Sequence, residues 1–190
     1  MNSHRLHIFG ASGAGTSTLG RALGARLSLP VLDADDYYWQ QTDPPFVQKN
    51  APETRVRHLL ADMDHSQGWI LSGSVVSWGN ALMPLFTAAI FITLPPAIRL
   101  ARLQERERLR YGTRIAPGGD MHDASRAFLR WAALYDTAGE EMRSLTLHER
   151  WLAQLTCPVI RLTSTAPVDL LVDQVLAALG GGEADSSPPL

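Results

Sequence analysis

Residues Gly10-Ala11-Ser12-Gly13-Ala14-Gly15-Thr16-Ser17-Thr18 have the types and spacing of a loop that wraps an anion. Gly10 and Gly15 bracket four residues, as in the phosphate-binding pattern Gly, four residues, Gly, Lys, then Ser or Thr. Glycines let the backbone curl so that several N–H groups converge on one anion. The N-terminus of a following helix adds partial positive charge. Ser17 holds the position of a Mg²⁺-binding hydroxyl, and Thr16 stands where the pattern has lysine. The expected phosphate contacts are Gly10, Ser12, Gly13, Ala14, Gly15, Thr16, Ser17 and Thr18. Two other readings compete. One is a small-residue turn with no ligand. The other is a dinucleotide site, with Asp33 about twenty residues on as the ribose-binding acid.

Acids and bases follow at the places where a parallel sheet collects ligands, the carboxyl ends of its strands. Asp33 and Asp35 form Asp-Ala-Asp after the second apolar run. One is suited to holding Mg²⁺ through water and the other to deprotonating an attacking hydroxyl. The alternative is a loop whose aspartates cap the next turn. Arg99, Arg102, Arg106 and Arg110 share a helical face by their spacing, and Arg108 and Arg114 extend the cluster. Arg106, Arg110 and Arg114 are the candidates for phosphate binding, and the outer arginines suit a solvated face. Ser72-Gly73-Ser74 after the third apolar run, with Arg55, is placed to meet a second substrate. Tyr37, Tyr38, Trp39 and Phe46 either line that pocket or pack the connector. Trp131 and Trp151, at helical spacing among apolar residues, are expected in the core. The six histidines show no metal-ligand spacing.

Elements that would hold these residues alternate between strand and helix. Strands are expected at about Arg5–Phe9, Pro30–Asp33, Trp69–Leu71, Ala88–Leu94 and Val159–Leu162. Helices are expected from Ser17 to Leu27, from an Asn50 N-cap (with Glu53 completing a capping box) to Asp64, and from Pro96 to Tyr111. Further helices are expected near Trp78–Leu85, Ala124–Ala138, Ser144–Leu155 and Pro167–Leu179. Asp35–Lys49 reads as a connector, and strands one and two are expected to be neighbours. The Gly/Ser/Pro-rich segment 180–190 is expected to be disordered.

With 190 residues, 45% hydrophobic content and a net charge of −2, one domain over residues 1–179 is expected. Global charge gives no reason to expect nucleic acid or a membrane surface. No apolar stretch approaches a bilayer span, and no signal peptide is apparent. The single cysteine, Cys157, suits a buried small hydrophobe in a reducing, cytoplasmic setting.

With these pieces in place, the chain resembles the small P-loop kinases, the group of adenylate, cytidylate, shikimate and gluconate kinases. The likeness covers about residues 5–179. It rests on Gly10–Thr18, Asp33-Ala34-Asp35, Ser72-Gly73-Ser74 and the arginine helix leading to Gly112–Gly119. The chain is also similar to bacterial proteins described as adenylate kinases or AAA-type ATP-binding proteins, which share the lysine-free loop. The resemblance implies an α/β P-loop NTPase fold: a three-layer, five-stranded parallel sheet with helices on both faces and a helical lid at about 102–123. It implies ATP and Mg²⁺, with Ser17 and Asp33 toward the metal. It implies transfer of the γ-phosphate to a small acceptor, a nucleoside monophosphate among the candidates, by a monomer or homodimer. Asp35, Arg106, Arg110 and Arg114 take the catalytic roles, and Asp33, Arg55, Ser72, Gly73 and Ser74 face the acceptor. Thr16 leaves two accounts open: lid arginines supply the missing charge, or the protein binds nucleotide without transferring phosphate.

Overall fold

The structure is a computed structural model and describes residues 4–181. Five parallel strands form one sheet: β1 (Arg5–Gly10), β2 (Val31–Asp33), β3 (Trp69–Ser72), β4 (Ala88–Thr93) and β5 (Val159–Thr163). Their spatial order is β2-β3-β1-β4-β5. The helices are α1 (Thr16–Leu27), α2 (Ala34–Tyr38), α3 (Pro52–Met63), α4 (Pro96–Tyr111), α5 (His122–Ala133), α6 (Leu145–Leu152) and α7 (Val168–Gly181). The expected α/β sheet is therefore present, but β1 and β2 are not neighbours, because β3 lies between them. The reason is burial: the four residues of β3 are all buried and take an inner position, whereas the three half-buried residues of β2 suit an edge.

Alternation along the strands explains the layers. Leu6, Ile8, Ile70, Ile90 and Ile92 face one side, against Leu19 and Leu23 of α1 and Leu171, Val172 and Val175 of α7. Phe9, Leu71, Ala89 and Phe91 face the other, against Leu59 and Met63 of α3 and Trp151 and Leu152 of α6. Each such aliphatic side chain, fully buried, contributes roughly 1.5–3 kcal/mol. His7 takes an inward position among these residues, stacked on Phe9 and Phe86.

Four local expectations are corrected. Asn50 is not the cap of α3: Pro52 opens that helix, Ala51 is its N-cap, and the Asn50 amide donates to the Tyr37 and Trp39 carbonyls. Proline needs no partner for the N–H it lacks, so the start is displaced to it. The connector contains α2, capped by Asp33, whose carboxylate accepts from the Asp35 N–H. Arg99 is not on a solvated face. It is fully buried, with Leu103, Glu107 and Tyr111 four residues apart along the inner stripe of α4. Trp151 is in the core, but Trp131 is half-buried on α5, stacked on Phe128. Gly180 and Gly181 continue α7, and the rest of the expected tail lies outside the described residues.

Candidate active site

β1 delivers its last residue, Gly10, into the loop, and α1 leaves it at Thr16. Gly13 and Gly15 have φ of 85° and 100°, backbone that a side chain rarely adopts. Gly15 is the N-cap of α1 and makes no side-chain cap, so the first N–H groups of that helix are left for an anion. A Cβ at Gly10 would collide with the Ile92 carbonyl, and one at Gly13 would lie 2.9 Å from Leu103 Cγ on α4. The loop thus needs glycine both for its curl and for its close packing.

Ser17 and Asp33 meet directly: the Ser17 hydroxyl donates to Asp33 Oδ2 at 2.7 Å. The other carboxylate oxygen of Asp33 accepts from the Asp35 N–H at 3.1 Å. Asp33 thus caps α2, as the capping alternative expects, and also touches the loop helix. Among the described residues no group of three or more His, Cys, Asp and Glu could hold a metal ion. A hydroxyl beside a carboxylate still fits Mg²⁺, which takes few protein ligands and completes its shell with phosphates and water.

Asp35 lies open to solvent at the mouth of the cleft, yet the surrounding walls remove enough water to raise its pKa. Repulsion from Asp33 adds to the rise, while Arg143 and Arg106 oppose it. Arg106 is itself pushed down, first by loss of water and then by Arg110, with Glu107 and Asp35 opposing. It makes no hydrogen bond or ion pair among the described residues; its guanidinium lies 5.5 Å from the Phe128 ring centroid. The other two expected phosphate arginines are engaged elsewhere. Arg110 lies 4.5 Å over Phe46 and 4.0 Å from Glu107. Arg114 pairs with Asp120 at 2.6 Å and with Asp43 at 3.0 Å, and these bonds raise its pKa.

The side of the cleft expected to meet an acceptor is built differently. Arg55 is buried, donates from Nε to the Asn50 carbonyl at 2.8 Å and stacks 3.9 Å from the Tyr38 centroid. The Ser72 and Ser74 hydroxyls turn inward. The Ser72 hydroxyl donates to the Leu32 carbonyl at 3.4 Å, and Ser74 Oγ lies 2.9 Å from His148 Nε2. Gly73, at φ 91°, has its N–H on the Ile8 carbonyl and its carbonyl on His7 Nε2 at 3.0 Å. The physical reason is shared: the segment ends a fully buried strand, so its polar groups must find internal partners.

Sequence reasoning missed four residues here. His7 donates from Nε2 to the Gly73 carbonyl, leaving Nδ1 buried without a partner. His148 joins Ser74 to the Tyr135 hydroxyl, 2.8 Å from its Nδ1. Burial lowers His7 to about 4, and burial with the Arg143 charge lowers His148 to about 3. Arg143 has no hydrogen bond or ion pair among the described residues. It lies 5.6 Å over Trp131, is strongly desolvated, and is drawn electrostatically to Asp35, Tyr38 and Tyr135. An imidazole at an inward strand position was the one available signal for His7. A single arginine in a loop gives none for Arg143.

A parallel sheet ordered β2-β3-β1-β4-β5, with a glycine loop after β1 and helices on both faces, is the P-loop kinase fold. That order excludes the dinucleotide-binding alternative, in which β1 and β2 are neighbours. Solved structures agree. Shikimate kinase from Bacteroides thetaiotaomicron superposes with a TM-score of 0.59 at 16% identity, covering 93% of this chain and 98% of that one. Shikimate kinase from Acinetobacter baumannii gives 0.56 at 15% identity, covering 97% of each chain. A gluconokinase from Sinorhizobium meliloti gives 0.51 at 16% identity, covering 94% of this chain and 92% of that one. No protein-family model matches. The chain is 46% identical over 171 residues to the uncharacterized protein YqaC of Bacillus subtilis (strain 168), covering 90% of this chain and 94% of YqaC. It belongs to the same family as YqaC.

Proposed function

We propose that the protein is a phosphotransferase that moves the γ-phosphoryl group of Mg-ATP to a hydroxyl of a small anionic acceptor. One observation carries this reading: at one sheet edge, an uncapped helix N-terminus adjoins the Ser17–Asp33 pair, and Asp35 lies in the fields of Arg106 and Arg143. The loop N–H groups of Gly13 to Ser17 and the α1 terminus receive the nucleotide phosphates. Ser17 and Asp33 would hold Mg²⁺, which supplies charge neutralisation on the phosphates. Asp35 accepts the proton of the attacking hydroxyl, and its raised pKa improves it as a base. Arg143 and the free edge of Arg55 take the acceptor's carboxylate or phosphate, since desolvated guanidinium groups without carboxylate partners favour such anions. The segment at 102–123 acts as a lid: the Tyr111 hydroxyl donates to the Pro45 carbonyl and Arg114 reaches Asp43, so it already touches the connector.

The test is ADP release from Mg-ATP across hydroxy acids, phosphorylated sugars and nucleoside monophosphates. Acceptor-dependent ADP formation that Asp35→Asn abolishes is the expected outcome. The absence of lysine at position 16 favours a second reading, a nucleotide-binding protein without turnover. Tight nucleotide binding with no acceptor-dependent ADP would select it.

A further inference from the structure

Packing alone does not account for a histidine at position 7. β1 turns its side chain into the core, where it is fully buried. Phe9 and Phe86 stack on the imidazole at 4.7 and 4.8 Å, and Trp151 meets it edge-on at 5.3 Å. A phenylalanine would suit that slot and bring no polar atom to satisfy. The imidazole leaves Nδ1 without a partner among the described residues, which costs stability in a buried position. Its one polar contact is the 3.0 Å bond to the Gly73 carbonyl. A carbonyl only accepts, so the proton of a neutral His7 sits on Nε2.

The peptide that this bond holds borders the site. Gly73 has a φ of 91°, and a Cβ there would lie 3.1 Å from Ala34 Cβ and 3.5 Å from Asp33 Oδ1. The turn therefore abuts the carboxylate that takes the Ser17 hydroxyl. Glycine has no side chain to fix the peptide that follows it, so that peptide can flip at little cost. The Gly73–Ser74 peptide is trans, and its C=O and N–H point in opposite directions. With the carbonyl held by the buried imidazole, the Ser74 N–H points away from it. Among the described residues nothing accepts from that N–H, although Ser74 is buried. A flipped peptide would present a carbonyl in its place, and a carbonyl repels the anion that an N–H attracts. The next group along is held too, since Ser74 Oγ lies 2.9 Å from His148 Nε2 and accepts the Val76 N–H at 3.4 Å.

We propose that His7 is a positioning residue for the acceptor: its Nε2–H pins the Gly73 carbonyl, so that the Ser74 N–H stays turned toward the acceptor's anionic group. His7 itself touches neither substrate. The inference rests on the phosphotransferase reading above.

Nitrogen–proton NMR of the protein with saturating Mg-ADP, titrated with inorganic phosphate, tests it. In the wild type, His7 should show the Nε2–H tautomer, and the Ser74 amide should shift as phosphate binds. His7→Phe keeps a packed ring and removes the donor. It should bind phosphate about ten-fold more weakly, the scale of a hydrogen bond to a charged group, with Mg-ADP affinity changed less than about two-fold. His7→Gln, whose side-chain amide donates, should recover most of the loss. Equal phosphate affinity in wild type and His7→Phe, or an Nδ1–H tautomer in the wild type, overturns the assignment while leaving the phosphotransferase reading standing. A wild-type Ser74 amide that phosphate leaves unmoved overturns it as well, and needs no variant. Wild-type protein that binds no Mg-ADP overturns the phosphotransferase reading and the assignment with it.

Discussion

The two walls of the cleft are made by different means. The wall proposed to hold the nucleotide is backbone: three glycines, a helix terminus and a tight fit against α4, with little contributed by side chains beyond Ser17. The wall proposed to meet the acceptor is side chain: Arg55 on Tyr38, Arg143 over Trp131, and a buried chain from Ser74 through His148 to Tyr135. Backbone geometry imposes a residue spacing, so it can be recognised in sequence. A side-chain network imposes only that partners meet in space, so it leaves no spacing to recognise.

The largest expected effect breaks the acceptor wall and spares the nucleotide wall. Asp35→Asn should lower kcat by about 10²–10⁴-fold, the range for a lost general base, with ATP affinity nearly unchanged. The acid limb of the wild-type pH profile should lie above the ordinary carboxylate range, because the water lost to the surrounding walls and the Asp33 charge raise Asp35. Steady-state kinetics with a responsive acceptor, alongside calorimetry, checks both.

Next in size is the pH dependence of stability, which should originate on the acceptor side. His7 and His148 bind protons more weakly when folded than when unfolded, at about 4 and about 3 against an ordinary 6.5. The unfolded chain therefore takes up protons first, and stability falls as pH drops below 6.5. Between pH 6.5 and 5 the loss should be roughly 2 kcal/mol per histidine. Urea melts of wild type and His148→Gln across that range measure it, and the variant should lose less as pH falls.

The nucleotide wall has its own probe. Gly13→Ala places a Cβ against Leu103 at a φ of 85° and should cost about 1–3 kcal/mol in stability. It should also weaken ATP binding, because the loop curl and the packing are the same feature. The smallest effect belongs to the exposed clasp between the two walls. Arg114→Gln removes the pairs to Asp43 and Asp120 and should shift stability by less than about 1 kcal/mol. Its trace should appear instead as faster amide exchange at residues 112–121.

How much was legible follows the same division. The loop from Gly10 to Thr18, the five strands and the long arginine helix were readable because periodicity and glycine spacing encode them locally. Helix α2 was hidden, since Ala-Asp-Asp-Tyr-Tyr is short and reads as polar connector; only its Asp33 cap makes it a helix. The position of β3 between β1 and β2 was hidden because strand order is a long-range property. The inward partners of the Ser72 and Ser74 hydroxyls were hidden, for Leu32 and His148 are 40 and 74 residues away in sequence. Arg143 could only emerge once α6 had brought its neighbourhood beside Asp35 and Tyr38.

The central claim is that both walls serve one phosphoryl transfer. Phosphorus NMR of Mg-ATP incubated with the protein and single candidate acceptors tests it most directly. The expected result is a phosphomonoester resonance growing one-for-one with ADP, for an acceptor bearing both a hydroxyl and an anionic group, and absent with Asp35→Asn. Bound ATP that persists with every acceptor, or ADP that appears only with free phosphate, would contradict it.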